Sequence, residues 1–229
     1  MPLSVEAVPP APAENEPANA ICESAETLAL LARRRSTKIA ELTEPGPSAA
    51  QLEALIRLAA RVPDHGKLGP WRFVIIEGEA RERAGAKLAD VIVNDAGVDA
   101  SRLAFARGNF MRAPVCVMVI STAAPHPKIP EWEQTLSSAA ACYGLLIAAH
   151  AMGFAGAWLT EWPTYDARAP RRAGLHRARE DRGLCVSGLA GQAGDRAFPR
   201  GCDNARFEVL SWSKGKFGVR SFRVFLAEA

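Results

Sequence analysis

The sequence predicts a single α+β or α/β domain over about residues 24–166, because helical and strand patterns are intermixed throughout that region. Two segments are the most informative. Val115 to Ile120 is an almost unbroken apolar run rich in β-branched residues, which is typical of a central strand buried on both faces. Glu131 to Met152 is the longest predicted helix and is apolar nearly all round, which indicates a buried position at the centre of a domain or dimer.

The helices before the first strand are each preceded by a serine. Ser24 is a good N-cap, and the apolar positions after it lie on one face of a helix that ends near Arg33. Ser48 caps a second helix. Its apolar residues recur at helical spacing and are Leu52, Leu55, Ile56 and Ala59.

The remaining elements follow in chain order. Strands are predicted at Phe73 to Glu77, Val115 to Ile120 and Phe154 to Thr160. Helical patterns cover about residues 79–93, 99–108 and 131–152, and the last of these is followed by Gly153 at the C′ position. Residues 123–130 contain three prolines and indicate a stiff exposed loop.

Composition narrows the class of protein. With 229 residues, 48% hydrophobic content and a mean hydropathy near zero, the chain is expected to be a soluble protein with one well-buried domain. The five cysteines are scattered and the four histidines form no metal-ligand pattern, so we expect a reducing cytoplasm and no zinc site. No signal peptide and no apolar run of about 20 residues is evident, so no membrane association is expected.

Both ends of the chain differ from the predicted domain in amino-acid composition, and the C-terminal end differs also in net charge. Residues 1–23 are rich in Pro, Ala and Glu and are predicted to be a disordered extension. Residues 1–166 carry 15 Lys and Arg against 19 Asp and Glu, a net charge of −4, whereas residues 167–229 carry 13 against 6, a net charge of +7. Either 167–229 is a basic tail that binds an acidic partner, or the reading frame shifted near residue 168. We favour the frame shift, because out-of-frame GC-rich coding sequence yields Arg, Gly and Ala in excess.

The loop from Arg61 to Trp71 has unusual contents for a helix-to-strand connection. It holds two prolines, two glycines and the charged or titratable side chains of Arg61, Asp64, His65 and Lys67. A rigid loop with Arg, His and Lys suits a bound anion or an electron-rich ring. A simple polar connection explains the same residues equally well.

A second polar cluster, Arg33 to Lys38, directly follows the first predicted helix. Guanidinium groups bind phosphate bidentately, and a hydroxyl such as that of Ser36 completes the shell, so the cluster predicts a phosphate site. Basic residues are also common at helix C-termini because of the helix dipole. Nucleic-acid binding is not expected, because residues 1–166 are acidic overall and few aromatic residues interleave with the run.

The absence of a glycine-rich phosphate motif narrows the class of phosphorylated ligand that the chain could bind. The chain contains neither the G-x-G-x-x-G fingerprint nor the G-x-x-x-x-G-K-[ST] loop, so neither a Rossmann nor a P-loop site is predicted. A phosphate site built from Arg and Ser indicates instead a phosphorylated cofactor such as FMN.

Six motifs occur in order and together resemble the FMN-dependent nitroreductase family, in its small NAD(P)H nitroreductase branch. They are Arg34-Arg35-Ser36, Arg61-x-Pro63-Asp64-His65, Pro70-Trp71-x-Phe73-x-Ile75-Ile76-Glu77-Gly78, Arg112-Ala113-Pro114, Pro130-x-Trp132-Glu133-Gln134 and Gly153-Phe154-x-Gly156-x-Trp158. The resemblance covers about residues 25–166. It implies an α+β fold with a central mixed sheet flanked by helices, and a homodimer that binds FMN in a cleft shared by both subunits.

The resemblance also assigns individual residues. Arg34, Arg35 and Ser36 would contact the FMN phosphate, ribityl chain and ring edge, and Arg61 and His65 would lie near FMN, with His65 reaching the partner subunit's cofactor. The strand-end residues Trp158, Leu159 and Thr160 would line the flavin. A nicotinamide-nucleotide segment would comprise Ala148, Ala149, His150, Ala151, Met152 and Gly153. Core packing explains this last segment at least as well.

The implied activity is hydride transfer from NAD(P)H through FMN to a nitroaromatic, a quinone or a similar small-molecule electron acceptor. No catalytic acid or base is predicted, because the cofactor carries the chemistry and the protein supplies positive charge, for which Arg35 and Lys38 are candidates. The C-terminal part departs from the family, since Gly183 to Gly188 is only a faint counterpart of the expected last strand. The alternative is therefore a flavin-binding or structural relative without turnover.

Overall fold

The computed structural model describes residues 2–12, 16–17, 22–166 and 168–169, together with the backbone of three later strands. The six strands are β1 (Trp71–Glu77), β2 (Val115–Ser121), β3 (Ala155–Leu159), β4 (Leu184–Ala190), β5 (Glu208–Ser213) and β6 (Lys216–Ser221). They form one sheet in the order β3-β4-β2-β1-β5-β6.

Every strand pair in this sheet is antiparallel. Strand β1 pairs with β2 along its whole length, from Trp71 opposite Ser121 to Glu77 opposite Val115. The α+β class is confirmed, but the expected mixed sheet is wrong for the described strands. Strands β1 and β2 are antiparallel because the connection between them contains two helices. The first helix leads away from the end of β1 and the second leads back, so β2 begins beside the residue at which β1 ends.

The helices of the described residues lie on both faces of this sheet. They are α1 (Ala25–Arg33), α2 (Ala49–Ala59), α3 (Ala80–Ile92), α4 (Ala100–Gly108), α5 (Glu131–Ala151) and the single turn α6 (Trp162–Tyr165). The predicted serine caps are confirmed. The hydroxyl of Ser24 accepts a hydrogen bond from Thr27 N, and Ser48 and Gln51 form a reciprocal capping box.

Two apolar layers enclose the sheet. Along β1, Phe73 and Ile75 pack with residues of α2 and α5, whereas Val74 and Ile76 pack with α3 and α4. All of β2 is buried, as its apolar run predicted. Each fully buried aliphatic side chain stabilises the fold by about 1.5–3 kcal/mol, so the sheet is a rigid platform for the segments at its edges.

Helix α5 has one buried face and one exposed face. Burial within the domain is confirmed for one face only, because Trp132, Leu136 and Tyr143 are 65%, 57% and 45% exposed in the single chain, and burial at the centre of a dimer stays a prediction. These three residues share one side of the helix, since they lie four and seven positions apart. At the helix end, Gly153 has φ of 86°, which confirms the predicted C′ glycine.

The segment 2–12 packs onto the domain where the sequence predicted disorder. Leu3 N donates to Met152 O at 2.8 Å, and Gln51 Nε2 donates to Leu3 O at 3.0 Å. Val5 and Val8 also pack against the apolar layer that contains α2 and α5. Sequence composition missed these contacts because they depend on two distant helix ends that a local pattern does not reveal.

The C-terminal boundary of the domain also extends beyond the predicted residue 166. Arg168 forms ion pairs with Asp95 and Asp166, with Nη2 2.7 Å and 2.6 Å from their carboxylate oxygens, and Ala169 is buried against α3. Strand β4 then lies between β2 and β3 and overlaps the Gly183 to Gly188 segment, which the sequence indicated only as a faint counterpart of the expected last strand. The basic clusters at 171–172 and 177–179 lie outside the described residues, and the frame shift stays a prediction.

Candidate functional site

The Arg61–Trp71 loop is fixed by the N-terminal half of α5. The hydroxyl of Ser137 donates to Pro63 O at 2.6 Å, and that of Ser138 donates to Pro70 O at 2.8 Å. Within the loop, Gly69 N donates to Asp64 Oδ2 at 2.7 Å. The small serines of α5 therefore bind the backbone of the loop directly.

One glycine in this loop is required by its conformation. Gly66 has φ of 70°, and a Cβ at that position would meet Ile129 Cδ1 at 2.8 Å. Both the backbone angle and the contact disfavour a larger residue. The tight turn presents the neighbouring His65 outward.

His65 and Arg61 both reach solvent. His65 Nδ1 lies 2.8 Å from Glu133 Oε1, on the first turn of α5. If the carboxylate accepts from Nδ1–H, the ring has a fixed tautomer and its Nε2 faces away from Glu133. The Arg61 side chain is exposed, and no hydrogen bond or ion pair joins it to another described residue.

The arginine motif lies against the C-terminal half of α5. The Arg34 guanidinium sits over the Tyr143 ring, with Cζ 5.9 Å from the centroid. His150 Nε2 lies 3.1 Å from the carbonyl oxygen of Arg35. Thr37 N donates to Gly156 O of β3 at 3.0 Å. The backbone of this segment is thus attached to both α5 and β3.

The side chains of Arg35 and Ser36 are exposed although their backbone is attached. No hydrogen bond or ion pair to another described residue engages the Arg35 guanidinium. A guanidinium on an anchored backbone, with a neighbouring hydroxyl, is a suitable arrangement for a phosphate group.

The segment 148–153 is largely part of the core. Ala148, Ala149 and Met152 are buried in the layer formed by α2, α5 and the sheet. His150 is engaged by two carbonyl oxygens, and only Ala151 is exposed. These contacts are the ones expected if the segment packs in the core. Binding of a nicotinamide nucleotide by residues 148–153 stays a prediction.

The end of strand β3 is half-buried and lies beside the arginine segment. Trp158 packs against the layer of α2 and α5. Leu159 lines a cavity of about 30 Å³ together with Ile39, two residues after Thr37. Thr160 is exposed and accepts a hydrogen bond from the Tyr165 hydroxyl at 3.1 Å. The structure therefore places the end of β3 beside Thr37 and Ile39, which directly follow the arginine motif.

A polar cluster that no local sequence pattern indicates fixes the end of β3. The Arg112 guanidinium donates to both oxygens of Glu161, at 3.0 Å and 2.6 Å, and Asn109 Nδ2 donates to the same carboxylate at 2.9 Å. Partial burial alone would raise the pKa of Glu161, but the hydrogen bonds from Arg112 and Asn109 and the charge of Arg112 leave that pKa below its ordinary value. The residue pair is 49 positions apart, so no local pattern indicates it.

We expect Glu161→Gln to destabilise the protein at neutral pH by about 2 kcal/mol, because it removes charge-assisted bonds to Arg112. The folded-state pKa of Glu161 is lowered, so its contribution is present above the unfolded-state pKa and is lost as the pH falls through the folded-state value. The difference between native and variant in urea unfolding should therefore shrink on going from about pH 7 to below pH 4. Glu53→Gln, on the exposed face of α2, is the matched control. A difference that does not change with pH would contradict this account.

Cys116 lines the same cavity but is not a nucleophile. Burial raises the pKa of its thiol to about 12. Cys116 and Cys142 are both buried and pack in the core as small hydrophobic residues.

Two hollows among the described residues do not enclose the predicted site. The cavity of about 30 Å³ has room for a water but not for a flavin ring. An open depression of about 560 Å³ lies near Trp162 and Tyr165, but it contains no predicted site residue, and its two carboxylates already pair with Arg168.

The predicted site residues form two groups at opposite ends of α5. His65 contacts Glu133 near the helix start, whereas Arg35 contacts His150 near its end. At 1.5 Å per residue, these two helix positions are about 25 Å apart. One chain therefore does not bring Arg61 and His65 next to the arginine motif.

Comparison with known proteins agrees with this fold and these motifs. The Nitroreductase family model matches residues 31–179. The protein named "Putative NAD(P)H nitroreductase YdjA" from Escherichia coli (strain K12) is 39% identical over 142 residues, which cover 60% of this chain and 76% of that protein. A "Putative NAD(P)H nitroreductase" from Haemophilus influenzae is 39% identical over 137 residues, covering 59% and 72%. The chain belongs to the nitroreductase family.

Solved structures share the fold. The nitroreductase-like family protein from Bacillus cereus superposes with a TM-score of 0.61 at 21% identity, covering 81% of this chain and 94% of that one. A nitroreductase with bound FMN from Desulfitobacterium hafniense DCB-2 superposes with a TM-score of 0.55 at 17% identity, covering 78% and 96%.

Two further findings concern the described residues. None of their helices combines the length and the apolar character that crossing a bilayer requires. Their His, Cys, Asp and Glu side chains form no cluster of three or more that could hold a metal ion.

Proposed function

We propose that this protein is an FMN-dependent oxidoreductase that transfers a hydride from NAD(P)H to a nitroaromatic, a quinone or a similar small acceptor. The observation that carries the proposal is the arginine segment, whose backbone is attached to α5 and β3 while the Arg35 and Ser36 side chains stay accessible. The names of the relatives and the FMN bound to a protein of the same fold support it.

The residues fit the proposed cofactor. Arg35 would hold the phosphate with Ser36, and Arg34, restrained over Tyr143, would add a second positive charge. Lys38 is a weaker candidate for the phosphate, because its ammonium lies 3.8 Å from the Glu41 carboxylate. Leu159 lines a cavity with Ile39, just after this segment, and Trp158, Leu159 and Thr160 would contact the ring.

When bound, FMN supplies the redox chemistry, namely hydride uptake from NAD(P)H and hydride release to an acceptor. The chain contributes binding and electrostatics. Its guanidinium groups favour the negative charge that accompanies reduction. We assign no catalytic acid or base, because the bound cofactor would carry the chemistry.

We also propose that the site is completed by a second copy of the chain. The two groups of site residues are about 25 Å apart along α5, and the apolar stripe of Trp132, Leu136 and Tyr143 runs between them. On α1, which contacts α5, Leu28 and Leu31 are exposed as well. Pairing of these faces in a twofold dimer would bury the stripe and would bring His65 of one chain toward the arginine segment of the other.

The location we propose is the cytoplasm. Cys22, Cys116 and Cys142 form no disulfide among the described residues, which supports a reducing compartment.

Purification of the protein in the presence of FMN tests the proposed function. We expect a yellow protein whose flavin absorption bleaches when NADH or NADPH is added without oxygen and recovers when a quinone or nitroaromatic is added. A colourless protein that ignores added FMN would contradict the proposal and favour a structural relative. A yellow protein that neither nucleotide bleaches would favour a flavin-binding relative without turnover.

A further inference from the structure

His150 makes an unusual pair of contacts in the last turn of α5. Its Nδ1 lies 2.6 Å from Leu146 O, one helical turn earlier, and its Nε2 lies 3.1 Å from Arg35 O. The second contact joins residues 115 positions apart in the chain. His150 is therefore a cross-link between the buried helix and the arginine segment.

Both partners of the ring are carbonyl oxygens, which only accept hydrogen bonds. A neutral imidazole carries one N–H, so it can donate to Leu146 or to Arg35 but not to both, whereas an imidazolium donates to both. The contact with Arg35 is attractive only when Nε2 carries a hydrogen. An N–H at Nε2 of His150 is thus what allows the ring to donate a hydrogen bond to the Arg35 carbonyl and hold the arginine segment.

The same face of α5 holds the segment at a second point. Tyr143, which lies under the Arg34 guanidinium, is seven residues before His150 and hence on the same side of the helix about 10 Å away. Arg34 and Arg35 are consecutive, so the chain follows the helix surface as it leaves α1. Thr37 then attaches to β3 through Gly156 O. Of these anchors, only His150 binds the backbone of the residue proposed to contact phosphate.

We propose that His150 is a positioning residue that sets phosphate affinity through the Arg35 carbonyl. By holding that peptide, it restricts the directions in which the Arg35 guanidinium and the Ser36 hydroxyl extend, and so lowers the ordering cost of phosphate binding. This inference rests on the proposed function. It gives His150 a role distinct from the nicotinamide-nucleotide contact that the family resemblance implied.

Two substitutions separate the ring nitrogens. In His150→Gln the amide nitrogen takes the place of Nε2 and can still donate to Arg35 O. In His150→Asn the shorter side chain places its amide near Nδ1, so it can donate to Leu146 O but cannot reach Arg35. The two variants have similar polarity, and each keeps one of the native contacts.

The experiment measures the dissociation constants of FMN and of riboflavin, which lacks the phosphate, for the full-length native protein and both variants. We expect His150→Asn to weaken FMN binding about tenfold, the size of one lost hydrogen bond. Its riboflavin binding should stay within about twofold of native, and His150→Gln should stay within about twofold for both flavins. Circular dichroism and sedimentation confirm that each variant folds and assembles as the native chain does.

Several outcomes would overturn the inference. Equal FMN affinity of the two variants would show that the Arg35 contact does not matter, and an equal loss of FMN and riboflavin would show that His150 only supports packing. If His150→Asn does not fold, His150→Ala is the substitute, because alanine is a better helix former and also lacks the donor. This variant should likewise lose FMN affinity while its riboflavin affinity stays close to native. A native chain that binds neither flavin would instead contradict the proposed function itself.

Discussion

Arg35→Ala is expected to weaken FMN binding by about 2 kcal/mol, roughly thirtyfold, because it removes a charge-assisted contact to the phosphate. The structure supports a specific effect, since the Arg35 side chain is exposed and no hydrogen bond or ion pair to another described residue depends on it. Fluorescence titration with FMN measures the change, and thermal unfolding of the flavin-free protein should be almost unaffected.

The matched control for this change is Arg33→Ala. Arg33 is the last residue of α1 and is also exposed, but it lies outside the segment that His150 and Gly156 anchor. The Arg33→Ala substitution removes the same charge as Arg35→Ala, two positions earlier in the chain, so it should reduce FMN affinity only slightly. Equal losses in the two variants would indicate a general electrostatic effect and would contradict a direct contact by Arg35.

Leu136→Glu is expected to convert the proposed dimer into monomers and to abolish FMN retention. Leu136 is 57% exposed in the single chain and lies at the centre of the apolar stripe, between Trp132 and Tyr143. In a twofold interface the substitution places two unpaired carboxylates in an apolar contact, which costs several kcal/mol for each. Sedimentation gives the oligomeric state, and flavin absorbance of the same sample gives the retained FMN.

Val93→Glu serves as the control for this second change. Val93 is 47% exposed at the end of α3, in the helical layer on the other side of the sheet from α5. It introduces the same charge at a similarly exposed apolar position. We expect it to leave the dimer and the flavin in place. Dimers of Leu136→Glu, or a monomer that still retains FMN, would contradict the proposed shared site.

Local patterns in the sequence were sufficient for the elements that depend on neighbours in the chain. Ser24 and Ser48 marked the starts of α1 and α2, and the apolar run at Val115 marked the buried strand. The arginine motif and the Arg61–Trp71 loop were also visible, because their residue types are unusual for ordinary connections. In each case the physical cause acts over a few residues.

Contacts between distant residues were not predictable in this way. Strand β4 contains serine and glycine and has no clear strand pattern, but it pairs on both sides, with β2 and with β3. The Glu161–Arg112 pair and the His150–Arg35 contact each join segments that only the fold brings together. The apolar positions of α5 predicted a buried helix, but the pattern does not distinguish burial within the chain from an exposed stripe along one face.

Mixing two inactive variants tests the shared site most directly. Arg35→Ala changes the group of site residues at the end of α5, and His65→Ala changes the group at its start. The proposed homodimer of either variant alone should bind FMN weakly. After subunit exchange, a hybrid dimer contains one site with both substitutions and one site with neither. Random exchange therefore restores native FMN affinity to about one quarter of all sites. If each site is built within a single chain, every site keeps one substitution, mixing restores nothing, and the proposed arrangement is wrong.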